Sequence, residues 1–150
     1  MFKKILTVLV VVAVLIAVRS FATTAEPGAP LLAAARDPRL GRALAAIQRE
    51  PSRPWTIAKL GRVAGMSRSG FAAEFTERVG EAPVAYLARV RMARAERLLL
   101  EQDDLPLPRI AEEVGYASAA AFSVAFKRIR GVSPSDLRRQ IGELRASRVL

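Results

Sequence analysis

The side chains available for chemistry in this sequence are guanidinium, ammonium and carboxylate groups, because neither histidine nor cysteine occurs among its 150 residues. Imidazole bases, thiol nucleophiles, zinc and iron–sulfur ligand sets and disulfides are removed together. The carboxylates do not replace them. Asp103–Asp104 and Glu112–Glu113 are neighbours in the chain, and adjacent residues diverge around a helix instead of converging on a substrate. The glycines form neither a G-x-G-x-x-G nor a Walker phosphate loop. No catalytic residue, metal site or cofactor is expected, and the chain reads as a non-enzyme. What remains is cationic. Lys and Arg number 24 against 14 Asp and Glu, and residues 37–150 alone carry 20 against 13. Such a surplus seeks a polyanion, either nucleic acid or an acidic membrane surface.

The elements that must position these cations are written as a repeat. Residues 57–83 match residues 107–134: Leu60 with Ile110, Ala64 with Val114 and Gly65 with Gly115 at an offset of 50, then Phe71 with Phe122, Phe75 with Phe126, Gly80 with Gly131 and Pro83 with Pro134 at 51. One residue has been added in the turn. Each unit reads as a short helix ending at a glycine able to take the left-handed conformation, followed by a helix with an apolar stripe. The stripes are Phe71, Phe75 and Val79 in the first unit and Phe122, Phe126 and Ile129 in the second. Two helices joined by a glycine turn make a helix-turn-helix, so the expected fold is all-α with two tandem copies.

Local signals support these boundaries. Asp37-Pro38 is a cap followed by proline at the first helical position, and Leu40, Leu44 and Ile47 give a leading helix its core stripe. Thr56 caps the next helix, with Trp55 and Leu60 placed as a hydrophobic staple. Ser133-Pro134-Ser135-Asp136 repeats the cap-then-proline device, whereas Pro106 stands where Thr56 stood and leaves that helix start without a side-chain cap. From Pro83 to about Gln102 a connecting helix is expected, with Leu87, Arg91, Ala95, Leu98 and Leu99 along one side. At about 1.5 Å per residue it spans about 30 Å, close to one turn of B-DNA. One chain can therefore offer two recognition helices to successive major-groove segments, and a tandem repeat implies an asymmetric site.

The amino-terminal segment is of another kind. Lys3 and Lys4 precede the unbroken apolar run of residues 5–18, which Arg19 closes. Fourteen residues are short of the roughly 20 of a comfortable span and match the core of a signal peptide, with Ser20-Phe21-Ala22 as a cleavage site. Positive charge on both flanks leaves orientation open. A membrane anchor, an export signal and a mis-assigned start are all compatible with it. The chain is divided accordingly into a hydrophobic segment at 1–25, a linker at 26–36 containing Pro27, Gly28 and Pro30, a double helix-turn-helix domain at 37–142 and a basic tail at 143–150.

Residues 110–139, IAEEVGYASAAAFSVAFKRIRGVSPSDLRR, carry the G-Y, F-x-x-A-F-K-R, G-x-S-P and closing Arg pair that resemble the AraC/XylS family of transcription regulators. RMARAERLLL at 91–100 and MSRSGFAAEF at 66–75 resemble that family's linker helix and first recognition helix. The resemblance covers residues 37 to about 140. It implies a DNA-binding domain of seven helices that docks both recognition helices in the major groove of double-stranded DNA and activates or represses transcription, often through RNA polymerase. Family members usually carry an effector-binding domain on the amino-terminal side; no small-molecule effector site is evident here.

Facing away from the Phe71/Phe75 stripe are Arg68, Ser69, Ala72, Ala73 and Thr76, of which the resemblance places Ser69, Ala72 and Ala73 at base-reading positions. The matching face of the second helix is Ala119, Ala120, Ala121, Ser123 and Val124. Direct readout relies on Arg for guanine and Asn or Gln for adenine, and Arg68 alone supplies such a group. Alanine, valine and the threonine methyl suit thymine methyl groups, so an A·T-biased or weakly specific site is expected. Phosphate contacts are assigned to Lys59, Arg62, Arg78, Lys127, Arg128, Arg138 and Arg139. The expected location is cytoplasmic, tethered to the inner face of the cell membrane if residues 5–18 contact it. Two other functions fit parts of the sequence: a membrane-associated or secreted cationic helical protein, and a degenerate regulator fragment with only non-specific DNA binding.

Overall fold

A computed structural model of the chain describes residues 29–147, and every regular element among them is an α-helix. The readings placed on residues 1–25 lie outside these residues. The helices are α1 (Ala29–Arg36), α2 (Pro38–Arg49), α3 (Ile57–Ala64), α4 (Arg68–Val79), α5 (Pro83–Glu101), α6 (Leu107–Glu113), α7 (Ala119–Arg130) and α8 (Pro134–Ala146).

Helix starts follow the capping chemistry. The Asp37 carboxylate accepts from the amides of Arg39 and Leu40, and the Arg39 amide above all holds this carboxyl below its ordinary range. Thr56 Oγ1 accepts from Lys59 N at 3.1 Å, and Ser133 Oγ accepts from Asp136 N at 3.1 Å while its hydroxyl donates to the Asp136 carboxylate at 2.6 Å. α6 has Pro106 at its N-cap position and no side-chain cap. The structure adds two caps of equal standing: Ser67 Oγ accepts from Gly70 N at 3.2 Å, and Ser118 Oγ from Ala121 N at 3.1 Å. Ser67→Ala and Ser118→Ala are each expected to lower stability by about 1 kcal/mol, measured by urea denaturation.

The repeat is a repeat in three dimensions. Gly65 and Gly115 take positive φ, 69° and 88°. The turns they make share one hydrogen-bond pattern, Met66 N to Gly61 O and Tyr116 N to Ala111 O, both at 2.8 Å. The aromatic stripes pack alike, with ring centroids 5.4 Å apart for Phe71–Phe75 and 5.6 Å for Phe122–Phe126.

Each unit has its own core, and α5 serves both. Leu40, Ala43, Leu44, Ile47, Leu60, Phe71 and Phe75 close against Tyr86 and Leu87 in the first half of α5. Ile110, Val114, Phe122, Ala125 and Phe126 close against Met92, Ala95, Leu98 and Leu99 in its second half. At 19 residues α5 is about 28 Å long.

Two boundaries differ from the sequence reading. The stretch read as a linker contains α1, whose Ala34 is fully buried in the first core. Proline is tolerated in the first helical turn, where its missing N–H has no partner to lose, so Pro30 starts a helix here. Gly41 makes room for it: a Cβ there would lie 2.6 Å from the carbonyl oxygen of Ala35. At the other end, helix continues to Ala146 within the residues read as a basic tail, and Arg145 binds Asp103 and the Leu100 carbonyl.

Candidate nucleic-acid interface

A recognition helix must be held from behind and bare in front. Behind α4 stand Phe71 and Phe75, both fully buried, with Phe75 edge-on to Tyr86 at 5.7 Å. Tyr86 is fixed in turn by Gln48, whose amide donates to its hydroxyl at 2.8 Å. Arg42 holds the turn before α4, donating to the Val63 and Ala64 carbonyls, each at 3.2 Å. Those carbonyls are among the unpaired acceptors at the end of α3, so a guanidinium satisfies both their hydrogen bonding and the helix dipole. Behind α7, Phe122 and Phe126 are fully buried and Tyr116 lies edge-on to Phe122 at 6.0 Å.

The fronts are small and open. On α4, Arg68, Ser69, Ala73 and Thr76 are exposed and Ala72 is half-buried. Thr76 donates its hydroxyl to the Ala72 carbonyl at 2.8 Å, which leaves an accepting oxygen and a methyl group for any partner. On α7, Ala120, Ala121 and Val124 are exposed, while Ala119 and Ser123 are half-buried. A shallow apolar depression runs along this helix between Ala120, Ala121, Val124, Ala125 and Arg128. Val124 is 70% exposed and borders this depression.

The cations assigned to DNA contact fall into two groups. Arg62, Arg68, Lys127 and Arg128 are exposed, and among the described residues their side chains make no ion pair or hydrogen bond. Arg68 also sits in the first turn of α4, at the positive end of the helix dipole, where a cation costs about 0.3–1 kcal/mol. Such a placement weakens the fold locally and leaves the guanidinium, beside the unpaired amides of the helix start, open to an anion.

The second group is engaged within the protein. Arg78 reaches Glu74 at 3.3 Å and Asp37 at 3.7 Å, in a cluster that Arg39 completes with a 2.9 Å contact to Glu74. Lys59 donates to the Pro54 carbonyl at 3.1 Å, and Arg139 pairs with Asp136 at 2.9 Å. Arg138 is half-buried and donates to the Leu105 carbonyl, tying α8 to the loop before α6. Trp55, half-buried on the first core, donates to the Glu50 carbonyl at 2.9 Å beneath the Arg53 guanidinium.

Two glycine-turned helix pairs with bare, cation-flanked second helices define the tandem helix-turn-helix class. A family model described as "Helix-turn-helix domain" matches residues 60–140, and the chain belongs to this family, in its AraC type. Among its relatives, an AraC-like transcription regulator of Streptomyces lividans is 45% identical over 108 residues, 72% of this chain and 35% of the relative. The transcriptional activator RclR of Escherichia coli is 33% identical over 129 residues, 86% of this chain and 45% of the relative. The chain thus spans less than half the length of either. Of solved structures, the DNA-binding domain of AdpA in complex with a target DNA superposes with a TM-score of 0.67 at 29% identity, over 73% of this chain and 97% of that one.

Proposed function

We propose that this protein is a transcription regulator that binds double-stranded DNA as a monomeric reader, laying α4 and α7 in successive major-groove segments. The observation that carries the reading is the repeated recognition helix, held by an aromatic pair behind and presenting small, mostly exposed side chains in front. The AdpA domain, similar over nearly its whole length, was solved on target DNA, which supports the same use of these helices. Arg62, Lys127 and Arg128 hold the phosphates, with Lys59, Arg78 and Arg139 exchanging internal partners to join them. Ser69, Ala72, Ala73 and Thr76 on α4, and Ala119, Ala120, Ala121, Ser123 and Val124 on α7, face the bases. Faces of this kind favour thymine methyl groups, and Arg68 is the one strong hydrogen-bond reader.

Contact with RNA polymerase rests on the family resemblance and belongs to the same proposal, as does a cytoplasmic location. No helix among the described residues is long and apolar enough to cross a membrane, and tethering rests on residues 5–18 alone.

The test is Arg68→Ala. With Arg68 reading a guanine, affinity falls by about 1–3 kcal/mol on the preferred duplex and much less on one carrying a substitution at the contacted base pair. An equal loss on every duplex contradicts base reading and makes Arg68 a phosphate contact. Thermal stability is expected to stay level or rise slightly, because a cation leaves the positive end of α4.

A further inference from the structure

The two units meet around one side chain. Arg91 lies at the midpoint of α5, between Val90, which packs on the first core, and Met92, which belongs to the second. It is half-buried, and burial lowers the pKa of its guanidinium. Its Nε donates to the Pro51 carbonyl at 2.7 Å and its Nη2 to the Arg53 carbonyl at 2.9 Å, both in the loop between α2 and α3 of the first unit. The same guanidinium lies 5.7 Å from the ring centre of Tyr116, in the turn of the second unit. Beside it the two backbones touch: a Cβ on Gly115 would lie 2.6 Å from the Ser52 carbonyl oxygen and 2.9 Å from Ser52 Cα. Pro51 is buried in this contact zone.

We propose that Arg91 is a positioning residue that locks the two helix-turn-helix units into one rigid body and thereby sets the spacing of the DNA segments that the protein accepts. This rests on the proposed DNA-binding function. A single helix of about 28 Å can twist and bend, and rotation of one unit about it would carry its recognition helix away from the groove. A planar guanidinium with two carbonyls on one unit and an aromatic face on the other resists that rotation. The Gly115–Ser52 contact removes the space into which the units could close. Rigid presentation spares the ordering cost on binding and penalises any duplex whose second segment is displaced.

The experiment compares wild type, Arg91→Ala and Arg91→Lys on a duplex with both segments at their preferred separation and on a series with one, two or three base pairs inserted, each shifting the second segment by about 3.4 Å. Wild type is expected to lose affinity steeply along the series. Arg91→Ala should bind the preferred duplex more weakly and lose about tenfold of the discrimination against insertions. Arg91→Lys, a point charge without the fork, should fall between the two. An unchanged spacing profile in Arg91→Ala overturns the proposal, as does a uniform loss that extends to a duplex carrying one segment only. Backbone dipolar couplings of the free protein give a second reading that needs no DNA. One alignment tensor should fit both units of wild type, and two should be required in Arg91→Ala; a single tensor in the variant also contradicts the lock. A wild type that binds no duplex sinks the proposed function, while the couplings still decide the role of Arg91.

Discussion

Gly115→Ala is expected to destabilise the protein by about 3 kcal/mol, combining the left-handed backbone cost of an L-residue with steric overpacking. The backbone part comes from a φ of 88°. The steric part comes from the Ser52 oxygen at 2.6 Å and the Arg91 Cζ at 3.0 Å from the added Cβ. The Ser52 atoms are backbone, so relief requires the whole loop before α3 to move away from the second unit. Gly80→Ala is the internal control. Its φ is nearly the same, 87°, but nothing lies within 4 Å of the added Cβ, so it should cost about 1 kcal/mol by the backbone term alone. Equilibrium denaturation of the two variants separates conformation from collision. Equal losses would contradict the close approach of the two units at Gly115.

Replacing Arg62, Lys127 and Arg128 together by alanine is expected to lower the dependence of log affinity on log salt by roughly 2 to 3, at about 0.9 per phosphate contact. At moderate salt the affinity for duplex DNA should fall by about a hundredfold or more. Stability should barely change, because these side chains have no partners among the described residues to lose. The opposite is expected of Arg78, Arg138 and Arg139, which hold Glu74 and Asp37, the Leu105 carbonyl, and Asp136. Their alanine variants should lose stability, Arg138→Ala most, since it leaves the carbonyl of Leu105 without its donor. A salt slope unchanged in the triple variant would show that these partner-free cations are not the phosphate contacts.

The features legible in the sequence are those encoded locally. Gly65 and Gly115 announce their turns because only a glycine takes positive φ cheaply, and the Phe pairs announce the buried faces because spacing of four residues puts both rings on one side of a helix. The caps at Asp37, Thr56 and Ser133 are three-residue signals. Ser67 and Ser118 are equally legible, each standing four residues before the first Phe of its stripe. α1 is hidden by Pro30, which is as much at home in a loop as in the first turn of a helix, and Gly41 signals its packing only through the close approach to Ala35. The engagement of Arg138 with a carbonyl 33 residues away and of Arg91 with one 40 away depends on the tertiary fold, and no spacing rule reports it. In the sequence Arg62 and Arg138 are therefore equivalent candidates for phosphate contact, although the fold leaves one exposed and ties down the other.

The small faces of α4 and α7 make specificity the sharpest question about this protein. It is tested most directly by selecting bound duplexes from a random pool with the full chain. Enrichment of an asymmetric, A·T-biased site with two preferred segments about one helical turn apart is the expected result. No enrichment above the starting pool, or a palindrome occupied by two copies of the chain, would contradict a tandem reader built from α4 and α7.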